Sequence, residues 1–367
     1  MTITEILVPA QDIVWLPWAV QYFFYVGSAY AATILFFIAL VFRQQSSHHF
    51  RSALVLVMAI GAIVGPLALT ADLHQPGRVW HFFVHLTPWS WMSLGSLFLP
   101  LFSVLSVLTA WLYLRSDIAE LRHSNQPLVR WVSALTLGKW KTSHQQIVVM
   151  AGLTLISGLS IALYTGAEFA AIASRPQWAQ LASPIIWFIS AFLAAIGLVL
   201  LIGQCIPEID HNTSQGLTLF DQTLIKRTTG LSAFLSMILL PIWASNRSSF
   251  SLLENPDWVI NFSVIFCTLI ACVLMAKYTL TLMQSVIGRT VFILTTVAAA
   301  WSIRWVTMIE VQTIARFDAG TYPYELPMDA SGLLGIVGMF GLWIALALLA
   351  SELINYSEEP SSASMQS

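Results

Sequence analysis

The densest collection of chemically useful side chains in this sequence runs from Asp72 to Gly95. Asp72, Arg78 and three histidines, His74, His81 and His85, crowd into a short break between two strongly apolar stretches. An imidazole gains or loses charge near neutral pH, and a neighbouring carboxylate can orient it or carry its proton onward. The segment therefore reads as a place where protons leave an apolar interior. Further polar groups stand inside apolar runs: Gln21 with Tyr25 and Tyr164 with Glu168 are each i,i+4 pairs, which share a helix face. Arg304 lies deep in another run, where a guanidinium has to pair, snorkel or face a wet cavity. Each has a plainer use too: tyrosines mark membrane interfaces, Asp72 and Arg78 can form a loop ion pair, and loop histidines can simply be solvated.

The elements that position these groups follow from composition. The chain has 367 residues, of which 57% are hydrophobic and only 9% charged, with 15 Trp. That is the composition of an all-α, polytopic membrane protein. A spanning helix needs about 20 apolar residues, and nine stretches qualify: 16–42, 52–71, 91–114, 147–167, 183–206, 228–245, 257–279, 290–309 and 331–354. Of the 16 Lys and Arg, eleven fall on one set of loops, four on the other, and Arg304 within the eighth span. The positive-inside rule then puts the N-terminus outside and the C-terminus in the cytoplasm. On that topology the Asp72 segment is extracytoplasmic. Gln21, Tyr25, Tyr164 and Glu168 lie near the same face, and Arg304 is roughly 22 Å from the inner end of its span at ~1.5 Å per residue. Four spans thus bring polar groups to one level, and such groups mark a pathway or site.

Other chemistries are disfavoured. All eight histidines fall in loops or at span ends, whereas a membrane cytochrome b holds its haem between histidines inside the bundle. Cys205, Cys267 and Cys272 have neither the number nor the spacing for an iron–sulfur cluster. No phosphate-cradling glycine motif and no nucleic-acid signature is present. The expectation is a protein with no haem and no intrinsic metal.

The pattern Asp72-Leu73-x-x-Pro76-x-Arg78-x-Trp80, followed by Pro88-x-Ser90-x-Met92-Ser93-x-Gly95, resembles the signature between the second and third helices of the NrfD/PsrC-type polysulfide-reductase membrane-subunit family. Tyr164-Thr165-Gly166, then Pro184 with Trp187, Phe188 and Ser190, then Arg304-Trp305-Val306 with Gln312, match it in the family's order. The runs Trp15 to Phe24 and Pro88 to Ser93 look most like its tetrathionate-reducing members.

The resemblance implies a haem-free quinol-oxidising anchor in a bacterial inner membrane, built from two four-helix bundles. They are expected over 16–171, carrying the quinol site, and 172–330. An extracytoplasmic tail (1–15), an accessory ninth helix (331–356) and a disordered cytoplasmic tail (357–367) complete the chain. Menaquinol or ubiquinol would give electrons to a four-cluster, ferredoxin-like iron–sulfur subunit outside, then to a molybdopterin catalytic subunit reducing tetrathionate or a related sulfur compound. Clusters and molybdopterin would sit on those partners only. Tyr164 matches a ring-binding position of the family. Where some relatives carry a ring-binding histidine on the first helix, this chain has Gln21 and Tyr25. The expected set is completed by Arg304 at the quinol, neutralising Asp72 or a developing anion, by Asp72, His74, His81 and Glu168 as proton carriers, and by Arg78 and Gln312 in a supporting role.

Two segments suit other contacts. The acidic, aromatic stretch 316–325 fits a docking partner, and 115–146, which mixes Arg122, Arg130, Lys139 and Lys141 with tryptophans, reads as a helix lying on membrane lipid. The rival readings are a secondary transporter, whose site would lie at the bilayer midplane, and a structural anchor that binds no quinone.

Overall fold

The computed structural model describes residues 13–123, 126–206, 216–245, 252–314, 322 and 324–358. Most of the expected N-terminal tail, residues 316–321 of the expected docking stretch and the tail from 359 onward lie outside the described residues.

Nine helices among these residues are long and apolar enough to cross a membrane: α1 (Pro17–Val41), α2 (His48–Asp72), α3 (Trp91–Glu120), α4 (His144–Ala170), α5 (Ala182–Cys205), α6 (Leu219–Ala244), α7 (Pro256–Lys277), α8 (Val286–Trp305) and α9 (Leu333–Glu358). Hydropathy marks their middles and capping sets their starts. Ser47, Ser143, Thr218, Asn255 and Ser285 each accept a backbone N–H of the following turn, a contribution of about 1 kcal/mol apiece. The sixth helix therefore begins at Leu219, well before the expected 228. Lys226 and Arg227 interrupt the apolar run but not the helix, which the reciprocal Thr218 and Asp221 bonds initiate.

Helices α1 to α4 pack around one another, α5 to α8 do the same, and α1 and α2 join the halves by packing on α5. The ninth helix rests chiefly on α2 and α3. The tightest pair is α1 with α2, where Gly61 and Gly65 form a small-xxx-small face. A Cβ on Gly61 would stand 2.7 Å from the Tyr25 carbonyl oxygen, and one on Gly65 2.4 Å from Val26 Cγ2. Within lipid every backbone polar group needs a partner, and prolines disturb that balance. Pro66 in α2 removes the N–H that would bond the Ala62 carbonyl. The Ser103 hydroxyl of α3 supplies the missing donor at 2.8 Å. Helix α8 ends in a π-helical turn, Val306–Glu310, where the Trp178 indole donates to the Thr307 carbonyl (2.7 Å) and the Trp187 indole to the Thr307 hydroxyl (2.8 Å).

The surface helix expected over 115–146 is not a single element. Helix α3 runs on to Glu120, and a short helix, Pro127–Val132, with a 3-10 turn, Ser133–Thr136, follows. Leu137 then adopts φ 50° and Gly138 φ 112°. Arg115, expected in a solvated face, is buried beneath this turn. It donates to the carbonyls of Thr136 and Gly138 and stacks its guanidinium 3.8 Å over the Trp140 ring.

Candidate quinol site

A cavity of about 420 Å³ opens in the first bundle, at the end shared by the start of α1 and the Asp72 to Trp91 segment. Its walls come from the second half of α2, the first half of α3 and the end of α4; Val79, Phe82 and Phe83 of the connecting segment cover it, and Trp15 closes one side. The lining is overwhelmingly apolar, and its polar side chains are few. Three of them are already committed to backbone: Thr70 donates to the Pro66 carbonyl, Ser96 to those of Phe82 and Ser93, and Ser103 to that of Ala62. Tyr164 and Glu168 remain as the groups able to bind a polar ligand atom. One turn apart on α4, they interact side chain to side chain, and both are buried in the protein apart from the face they turn to the cavity. An apolar slot with two convergent polar groups is the general form of a small-molecule site.

Tyr164 owes its position to Gly95. A Cβ there would lie 2.1 Å from Tyr164 Cζ, so only a glycine lets the phenol cross α3. Behind this pair, Tyr22 of α1 is fully buried, its hydroxyl has no hydrogen-bond partner among the described residues, and it lies within electrostatic reach of Glu168.

The remaining expected site residues are arranged differently. Asp72 does not line the cavity: its carboxylate accepts the Leu16 N–H at 2.9 Å, holding the start of α1, whose own N-cap side chain makes no such bond. Gln312 works on the same stretch from the end of α8. Its amide oxygen accepts from the Val14 and Trp15 N–H groups (3.0 and 2.9 Å) while its nitrogen donates to the Trp15 carbonyl (2.9 Å). Asp72 and Gln312 therefore position Trp15, the cavity's side wall. Sequence reasoning missed that role, because the contacts connect residues 56 and 297 positions apart.

Arg304 does not neutralise Asp72, and neither does Arg78; among the described residues the two arginines form no ion pair. The Arg304 side chain points into the seam between the bundles. There it donates to the carbonyls of Phe23 (3.1 Å), Trp187 (3.2 Å) and Ala300 (3.2 Å) and to the Ser190 hydroxyl (3.1 Å). It is 1% exposed, and carbonyl dipoles stand in for a counter-ion. Gly27 makes room for it, since a Cβ there would meet Nη2 at 2.7 Å. Gln21 and Tyr25 are fully buried, and among the described residues neither the Gln21 amide nor the Tyr25 hydroxyl has a partner. They do not line the cavity, because α1 turns that face toward α9, where the Tyr25 ring meets Phe340 at 5.7 Å. His74 and Arg78 are exposed, and His81 is half-buried between Trp80 and His85 in the cover segment. None of the three lines the cavity.

A second cavity, of about 480 Å³, lies at the corresponding end of the other bundle and is polar, with Asp257, Asn261, Glu310, Tyr322 and Tyr324 in its walls. Burial, reinforced by Glu310, pushes the Tyr324 phenol up to about 12. Among the described residues no group of His, Cys, Asp and Glu is arranged to hold a metal ion.

The chain is 34% identical, over 359 residues that make up 97% of its own length and 96% of the relative's, to the membrane-complex relative named for tetrathionate reductase in Salmonella typhimurium. It is 24% identical over 201 residues, about half of each chain, to a subunit of selenate reductase from Mesobacillus selenatarsenatis. Residues 7–315 match the family described as Polysulphide reductase, NrfD. With that match spanning most of the sequence, the nine candidate spans and the signature residues gathered around one bundle end, the chain belongs to the NrfD family of multi-pass membrane proteins.

Proposed function

We propose that this chain is the quinol-oxidising membrane subunit of a bacterial respiratory complex of the inner membrane. It would pass electrons from menaquinol or ubiquinol to an extracytoplasmic iron–sulfur subunit and on to a molybdopterin subunit that reduces tetrathionate or a related sulfur compound. The observation that carries the reading is the pairing of Tyr164 and Glu168 at the polar side of an otherwise apolar cavity in the membrane domain. The name of the 34% identical relative supports the acceptor. The lysine and arginine distribution supports an N-terminus outside and a C-terminus inside.

Quinol oxidation releases two electrons and two protons, so the site has to bind ring oxygens and accept protons. In this reading the Tyr164 hydroxyl hydrogen-bonds one ring oxygen, and the Glu168 carboxylate takes the proton from a ring hydroxyl. Ring binding is assigned to these two rather than to Gln21, Tyr25 or Arg304, whose side chains face elsewhere. Trp15, Phe82 and Phe83 exclude water, and His74 and His81 of the cover segment offer imidazoles toward the outer face. That segment also exposes Trp80, Phe83, Val84 and Trp89, an apolar surface of the kind that marks a docking site, here for the iron–sulfur subunit.

The test uses the assembled complex in membranes. Glu168→Gln and Tyr164→Phe are expected to lower quinol-driven turnover, by roughly 100-fold for the loss of a proton acceptor. Turnover driven by a soluble donor that reduces the iron–sulfur subunit directly should be unaffected. Unchanged quinol-driven rates in both variants would refute the assignment.

A further inference from the structure

We propose that the quinol reaches this cavity sideways from the lipid, through a gap between α2 and α3 held open by two facing prolines, and that Ile63 and Val104 at its border select for a prenyl tail. The inference rests on the quinol reading above and adds to it an entrance and a tail-recognising surface.

Pro66 of α2 and Pro100 of α3 both line the cavity. A proline inside a helix loses one backbone bond and its ring pushes against the carbonyl four residues back, so the helix bends there. Two such bends in adjacent helices, at the same cavity, part the helices where straight ones would close. The parting is stabilised from below: Ser103 spans from α3 to the Ala62 carbonyl freed by Pro66, which satisfies the exposed backbone without drawing the two kinks together.

The walls differ in character. The polar pair sits on α4, while Ile63 of α2 and Val104 of α3 line the cavity yet are 41% and 55% exposed on the outside of the bundle. Side chains that belong at once to the lining and to the lipid-facing surface mark an opening. Toward the outer water the way is covered by Val79, Phe82 and Phe83. A volume of about 420 Å³ takes a ring head group and leaves no room for a chain of many isoprene units. The tail must then leave past Ile63 and Val104 and lie in the bilayer, where those apolar side chains contact it.

The assembled complex in membranes is assayed with two donors: a long-tailed membrane quinol and a tail-less, water-soluble quinol of the same ring. Ile63→Trp and Val104→Trp are expected to raise KM for the long-tailed quinol by about tenfold or more and to leave KM for the tail-less one within about twofold, since a narrowed entrance removes binding of the tail and not of the ring. Ile63→Ala and Val104→Ala, which widen the gap, should lose tail preference while the complex assembles normally by soluble-donor turnover. Equal effects on both donors, or none on either, would overturn the lateral entrance. The quinol reading fails separately, if Tyr164→Phe leaves turnover with both donors unchanged.

Discussion

Gly95 of α3 lies flat against the ring of Tyr164 of α4: a methyl group on its Cα would stand 2.2 Å from the phenol oxygen. The helical backbone at Gly95 is ordinary, so space and not conformational freedom requires the glycine. Gly95→Ala should displace the phenol from the cavity and strain the α3–α4 contact, at about 1–3 kcal/mol for overpacking. A lower melting temperature of the purified complex, with quinol turnover falling about as far as in Tyr164→Phe, is the expected result. Gly95→Ser should behave the same way.

Asp72 offers a sharper distinction. As a hydrogen-bond acceptor for the Leu16 N–H it can be replaced by asparagine, which keeps an oxygen, but not by alanine, which leaves the amide unpaired at about 1–3 kcal/mol. Asp72→Asn should therefore retain most quinol turnover and Asp72→Ala lose both turnover and thermal stability. A proton carrier would show the opposite pattern, with both substitutions equally damaging.

Arg304→Lys is expected to be far from conservative. The guanidinium spreads its donors over the Phe23, Trp187 and Ala300 carbonyls and Ser190, and a single ammonium cannot reach partners in so many directions. The yield of folded complex should fall sharply. In whatever assembles, KM for quinol should match the parent, since Arg304 lies outside the cavity lining.

Ser103→Ala leaves the Ala62 carbonyl without its donor. Hydrogen bonds between membrane helices contribute about 0.6–2 kcal/mol, and a loss of that size should appear in thermal unfolding. Ser103→Thr keeps the hydroxyl and should recover most of it.

Hydropathy locates every spanning helix, because an apolar run of the right length has one stable form in lipid. It misplaces the start of α6, where capping rather than hydropathy decides, and it joins 115–146 into one helix although Leu137 and Gly138 turn the chain. At the site, counting residues along each span puts the polar groups at a common depth. Rise per residue says nothing about direction around the axis, so depth alone sends Gln21, Tyr25 and Arg304 to a pocket they face away from. The signature residues are instead each other's neighbours: Gly95 touches Tyr164, Gly166 packs on Pro184 and Arg304 bonds Trp187 and Ser190. Those pairings join separate helices, and no local rule of spacing reveals them.

The short stretch leading into α1 is a bracket fastened to both halves of the molecule. Asp72 grips it from the first bundle and Gln312 from the second, and Trp15, between the two grips, is a wall of the cavity. If the two bundles slide past each other, whether through detergent, a docked partner or a cut in a distant loop, the indole moves with them. The pocket in one half is thereby geared to the alignment of the other.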